Sequence, residues 1–165
     1  MKKSTLLMSL ALFAGTLCGN AATVTTSVMD ANTEGSLMKI IADTPNGTAT
    51  TIDFNFDGTE LVLPEGIDEM DLIGKVISFD GMNKKNNTPV ILSSVNRLFK
   101  MGAESDITFK NLKFTGCKNI VMTVTGTAKM TMTNCEAYNN KDVDKKVNSA
   151  VIRNTGGTVH IHQCY

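Results

Sequence analysis

One phrase recurs down the C-terminal half of this chain and limits what it can fold into. It reads Ile107-Thr-Phe-Lys-Asn111-Leu-Lys-Phe114, then Met130-Thr-Met-Thr-Asn134-Cys-Glu-Ala137, then Val159-His-Ile-His-Gln163-Cys-Tyr165. Each copy alternates apolar and polar residues, places an amide side chain at a turn, and resumes with an apolar or sulfur residue. The copies follow one another at about 23 and about 29 residues, a period typical of repeat architectures. A unit this short cannot bury its own apolar face, so the copies must stack on one another.

Alternation assigns the faces, because side chains i and i+2 of a strand point the same way. The expected inward set is Ile107, Phe109, Leu112 and Phe114, then Met130, Met132, Cys135 and Ala137, then Val159, Ile161 and Cys164. The expected outward set is Thr108, Lys110, Thr131, Thr133, His160 and His162. Asn111, Asn134 and Gln163 then form an amide ladder that caps the stacked turns. Cys135 and Cys164 share one position of the phrase. Stacked in register they lie about 4.8 Å apart with parallel Cβ vectors, whereas a disulfide needs converging Cβ atoms about 3.8 Å apart. They read as small buried hydrophobes. The sequence contains no Cys-x-x-Cys pair, so zinc is not expected.

The N-terminus carries a different kind of signal. Met1-Lys-Lys, an apolar run from Leu6 to Leu17, and the small-residue stretch Cys18-Gly-Asn-Ala21-Ala22 compose a secretory signal peptide. Gly19 and Ala21 occupy the two small positions, placing the cut after Ala21. A lipid anchor at Cys18 is disfavoured because Gly15 and Leu17 stand where a lipobox has Leu and a small residue. The apolar run is too short for a transmembrane helix. Acidic and basic residues balance at 16 each, which gives no electrostatic case for nucleic acid or an anionic membrane surface. The absence of Trp and the presence of only two Tyr leave few platforms for stacking sugars. Cleavage would leave Cys117, Cys135 and Cys164, an odd number in an exported chain, so at least one thiol stays unpaired.

The remainder divides into a cap and a run of strands. Asp30, Asn32 and Glu34 alternate before Gly35, but Ile41 stands where a calcium loop needs a bidentate Glu, so this is a turn leading into a helix. Ser36 is a good N-cap, and Leu37, Ile40 and Ile41 make one apolar stripe over residues 36–42, which Pro45-Asn-Gly ends. From Thr50 onward, short strands are expected at residues 51–56, 60–63, 75–79, 89–93, 97–100, 106–109, 113–115, 120–125, 129–133, 150–153 and 158–162, separated by Gly, Pro and Asn turns. They are too many and too short for one flat sheet and fit several strands per coil. The run Lys141-Asp-Val-Asp-Lys-Lys146 reads as a solvated loop. The expected organisation is a signal peptide over residues 1–21, a cap over 22–49, and stacked β-coils over 50–165 that stop inside a repeat. The helix would act as a lid, because stacked coils expose an apolar cross-section at their first coil.

The order Gly35-Ser-Leu-Met-Lys-Ile-Ile-Ala-Asp43, Ile52-Asp-Phe54, Gly58-Thr-Glu-Leu-Val-Leu63, Ile77-Ser-Phe-Asp-Gly81, Arg97-Leu-Phe-Lys-Met101 and Ile107-Thr-Phe-Lys-Asn-Leu-Lys-Phe-Thr-Gly116 resembles the N-terminal portion of bacterial right-handed parallel β-helix proteins. This is the pectin-lyase-like fold, in versions similar to polymorphic outer membrane proteins and secreted β-helix adhesins. The resemblance implies an all-β, right-handed parallel β-helix (a solenoid) with a short N-terminal capping helix, export to the cell surface, outer membrane or extracellular space, and attachment to a host or cell-surface glycan or protein. It carries over no catalytic residue, because this fold hosts lyases, hydrolases and adhesins alike.

The alternative is a fragment of a polysaccharide lyase or glycoside hydrolase. Lyases of this fold use acidic calcium sites and a basic residue. The acids available here are Asp53, Asp57, Asp80, Asp142 and Asp144, and the bases are Arg97, Arg153 and several Lys. Acids at turns are ordinary turn chemistry, and nothing in their spacing converges. His160-x-His162 projects two imidazoles from one strand face about 7 Å apart, with no third ligand apparent. No catalytic residue, cofactor or metal is assigned. The final coil, Thr158–Cys164, presents a strand edge for which self-association is expected.

Overall fold

The computed structural model describes residues 19–141 and 151–165. The elements run β1 (Asn20–Val24), α1 (Leu37–Asp43), β2 (Ala49–Phe54), β3 (Glu60–Val62), β4 (Met70–Asp71), β5 (Val76–Asn83), β6 (Thr88–Pro89) and β7 (Ile91–Ser93). They continue with β8 (Phe99–Met101), β9 (Asp106–Lys110), β10 (Lys113–Thr115), β11 (Met122–Thr125), β12 (Lys129–Thr133), β13 (Glu136–Tyr138), β14 (Ile152–Thr155) and β15 (Thr158–His162). The fold is thus mostly β with one short helix.

The strands form three sheets. The first is ordered β1-β2-β5-β9-β12-β15, the second β13-β10-β7-β3 and the third β14-β11-β8-β4. The pairs along these orders are parallel, and β6 pairs antiparallel with the end of β5. From β2 onward the chain enters the first, second and third sheets in a fixed rotation, with β6 as the one interruption. Parallel neighbours cannot be joined by tight hairpins. From β2 onward the connection between them passes through the other two sheets, whereas β1 and β2 are joined through α1.

Register then lines up like residues. Ile52, Phe79, Phe109, Met132 and Ile161 stand in one column of the first sheet, and Ile77, Ile107, Met130 and Val159 in another. The second sheet aligns Leu61, Leu92, Phe114 and Ala137, and the third aligns Met70, Phe99, Met122 and Ile152. The three sheets share one core. Phe109 of the first sheet stacks on Phe79 at 5.1 Å, packs against Phe99 of the third at 5.1 Å, and meets Phe114 of the second edge-on at 5.7 Å. All four rings are fully buried, each contributing about 1.5–3 kcal/mol by removal from water.

Helix α1 forms as its sequence dictates. The Ser36 hydroxyl accepts from the Lys39 amide at 3.1 Å, and Lys39 pairs with Asp43 one turn on at 2.8 Å. Leu37 and Ile41 are buried in the same core as Val24 and Phe54.

Several elements depart from expectation. Strand β1, which pairs with β2 from Asn20↔Thr50 to Val24↔Phe54, precedes the first strand expected from the sequence. Strand β5 runs on through Asp80-Gly-Met-Asn83, where a turn is expected. The reason is Asn83, fully buried. Its side chain accepts from the amides of Phe56 (3.3 Å) and Lys85 (3.1 Å) and donates to the carbonyls of Phe56 (3.0 Å) and Gly58 (2.9 Å). Gly81 is needed within this stretch, since a Cβ there would lie 2.5 Å from the Leu112 side chain and 2.6 Å from the Asn111 carbonyl. The short strands β4 and β13 carry too little alternation to be read from sequence, and ladder pairing creates them. The inward set is buried in the first two copies of the phrase, apart from half-buried Ala137. In the third, Val159 and Cys164 are only partly covered and Ile161 is 53% exposed, because β15 is the last strand of its sheet.

Candidate functional site

The polar residues that the sequence offers as chemistry are sorted by the register of the three sheets. On the outward face of the first sheet, Asp53, Asp80 and Lys110 are successive partners in one column, which continues through Thr133 to His162. The adjacent column runs Thr51, Ser78, Thr108, Thr131 and His160. Two of the candidate acids are therefore brought side by side. Asp53 is taken by Lys84 at 2.5 Å. Asp80 accepts from the Asn111 side-chain amide at 3.0 Å, and the Asn111 oxygen accepts from Asn134 at 2.8 Å. The amide ladder thus exists over Asn111 and Asn134 and begins on an aspartate. Asn111, Asn134 and Gln163 all hold left-handed backbone (φ 56, 53 and 50), a region that Asn tolerates better than most residues.

The other candidates are dispersed. Asp57 pairs with Lys85 at 2.7 Å in the loop before β3. Arg97, just before β8, pairs with Glu69 at 3.2 Å. Arg153 is exposed on the third sheet opposite Thr123. Neither arginine is in the columns that hold Asp53 and Asp80. Asp142 and Asp144 lie outside the described residues. Sequence reading missed Lys84 and Glu69 as partners. The only available signal was their charge, because the pairing spans 31 residues for Lys84 and 28 for Arg97.

The His160 and His162 rings lie parallel, 6.5 Å apart, and are exposed. Among the described residues, no group of three or more His, Cys, Asp or Glu side chains could hold a metal ion. Asp30 serves a turn, its carboxylate accepting from the Asn32 amide at 2.6 Å. Burial pushes the Cys117 and Cys135 thiols up to about 11, which favours their protonated forms at neutral pH.

Three surface recesses accompany these faces. A cleft of about 400 Å³ separates α1 from β4, with Met38, Ile41, Met70 and Ile73 on its walls and Glu69 and Lys75 beside them. A second, of about 310 Å³, lies between β1 and the end of α1. A third, of about 260 Å³, lies on the first sheet against Thr51, Ser78, Asp106 and Thr108.

No protein-family model matches the chain, and no curated protein or solved structure matches it. Among the described residues, no helix is long and apolar enough to cross a membrane. The chemistry open to this surface follows from its own groups. Hydroxyls, amides and charges of both signs repeat at strand spacing, an array suited to many shallow polar contacts.

Proposed function

We propose that this chain is an exported bacterial right-handed parallel β-helix protein, capped at its first coil by α1, that acts as a non-enzymatic binding scaffold at the cell surface. One observation carries the reading. Among the described residues, three of the candidate acids and bases are held in ion pairs (Asp53 with Lys84, Asp57 with Lys85, Arg97 with Glu69), while the outward columns of the first sheet repeat from strand to strand. Ordered rows of Thr, Ser, Asp and Lys are suited to a ligand that is itself extended, such as a glycan chain or a fibrous matrix protein. The fixed rotation through three parallel sheets supports the coil, and the signal-peptide pattern before Ala22 supports export.

Binding of the purified chain to an array of host and bacterial glycans and matrix proteins tests the reading. Saturable binding that falls when Thr108 and Thr131 are both replaced by Glu would support it. No binding to any surface, with attachment unchanged in cells lacking the protein, would overturn it. The adjacency of Asp53 and Asp80 in register is the observation that favours a polysaccharide lyase or hydrolase instead. Calcium-dependent growth of unsaturated uronide absorbance on a pectin-type substrate, abolished by Asp80→Asn, would establish that alternative.

A further inference from the structure

We propose that Cys135 and Cys164 together form a site for one soft, two-coordinate monovalent cation of the copper(I) class. The register Thr133↔His162 at the end of β12 and β15 continues beyond the strands, where the Tyr165 amide donates to the Cys135 carbonyl at 3.0 Å. The two cysteines thus remain stacked partners. Their thiols point the same way. Cys135 Sγ lies 3.4 Å from the Thr133 carbonyl, and Cys164 Sγ lies 3.3 Å from the His162 carbonyl, two residues back in each case.

Parallel thiols on neighbouring strands are separated by about the strand spacing, ~4.8 Å. A sulfur–sulfur bond of about 2.05 Å cannot span that gap without moving the backbone. Two collinear metal–thiolate bonds, each comparable to the zinc–thiolate bond of about 2.3 Å, come close to spanning it. Thiolate pairs select soft ions. Zinc would need four ligands, and the described residues supply no such cluster. A recess of about 120 Å³ opens beside Cys135, bordered by Asn111, Asn134, Lys113 and Tyr165, and gives an ion a way in. Binding releases one proton from each thiol to solvent and leaves a net single negative charge on the bis-thiolate complex. The Lys113 ammonium on that recess, already held by Glu136 at 2.7 Å, is the nearby cation available to offset it.

The test is native mass spectrometry of the reduced chain titrated anaerobically with silver(I), a redox-inert stand-in, and then with copper(I) against a chelator that buffers the free ion. One tightly held ion per chain is expected. It should be lost in Cys135→Ser and in Cys164→Ser but kept in Cys117→Ser. The wild-type chain supplies a second readout should a variant fail to fold: the bound ion should block iodoacetamide at Cys164. No bound ion, binding indifferent to Cys135 and Cys164, or a two-dalton mass loss on mild oxidation that marks a Cys135–Cys164 disulfide would each overturn the proposal.

Discussion

The second and third copies of the repeated phrase have the same backbone and different surroundings. Residues 129–133 and 158–162 pair strand to strand, and each is followed by an amide residue in left-handed conformation. In the second copy Met130, Met132 and Cys135 are buried, whereas in the third Ile161 is more than half exposed and Val159 and Cys164 only partly covered. An apolar residue at an inward position is therefore only eligible for burial. What buries it is the strand stacked on its far side, and β15 has none among the described residues.

Core substitutions separate the two regions most sharply. Phe109→Ala removes the ring that touches all three sheets and is expected to cost about 3–5 kcal/mol. Ile161→Ala should cost less than about 0.5 kcal/mol, as for an exposed surface position. Urea denaturation of both variants measures the gap, and equal losses would mean that β15 is as well covered as β9.

Asn83→Leu ranks next. It strands the amides of Phe56 and Lys85 and the carbonyl of Phe56, while the Gly58 carbonyl keeps its bond from the Asn86 side chain at 2.8 Å. Each unsatisfied buried group costs about 1–3 kcal/mol. A fall in the urea midpoint comparable to that of Phe109→Ala is expected. An unchanged midpoint would show that the β5 extension does not depend on Asn83.

The amide positions divide in the same way as the core. Asn134→Ala places a Cβ-bearing residue without a local partner in left-handed backbone and breaks the bond to Asn111. The expected cost is about 1–2 kcal/mol. Gln163→Gly relieves left-handed strain of about 1–2 kcal/mol against an unfolded-chain entropy cost of about 0.4–1 kcal/mol, and should be neutral or slightly stabilising. Thermal midpoints of the two variants moving together would remove the distinction.

The last test is of pH dependence. Burial raises the Cys117 and Cys135 thiols from an ordinary 9.0 to about 11. The fold therefore favours their protonated forms, and this contribution is complete below about pH 9 and lost as pH rises through 11. Urea midpoints should decline between pH 9 and 11, and replacing both residues by Ala should flatten that decline.

Much of the strand ladder was legible in advance. Lys113–Thr115, Lys129–Thr133 and Thr158–His162 fall on the expected bounds, because alternation and turn residues are local signals. Helix α1 was legible for the same reason: Ser36 and the Leu37–Ile41 stripe sit within one or two turns of each other. Strand β5 was not legible past Phe79, since Asp80-Gly81 looks like a turn until Asn83 is seen bonding to residues 25 and 27 positions away. The candidate site was less legible still. Asp53 and Asp80 become neighbours only through the register of β2 and β5, and periodicity says which way a side chain points but not which strand lies beside it.

The sequence by itself determined the alternation, the amide turns, the helix cap and the need for copies to stack, all of which depend on residues a few positions apart. Tertiary structure alone decided which copy is covered and which acid meets which lysine. Those outcomes depend on strand partners more than twenty residues distant, whose free energy of contact is absent from any local window of sequence.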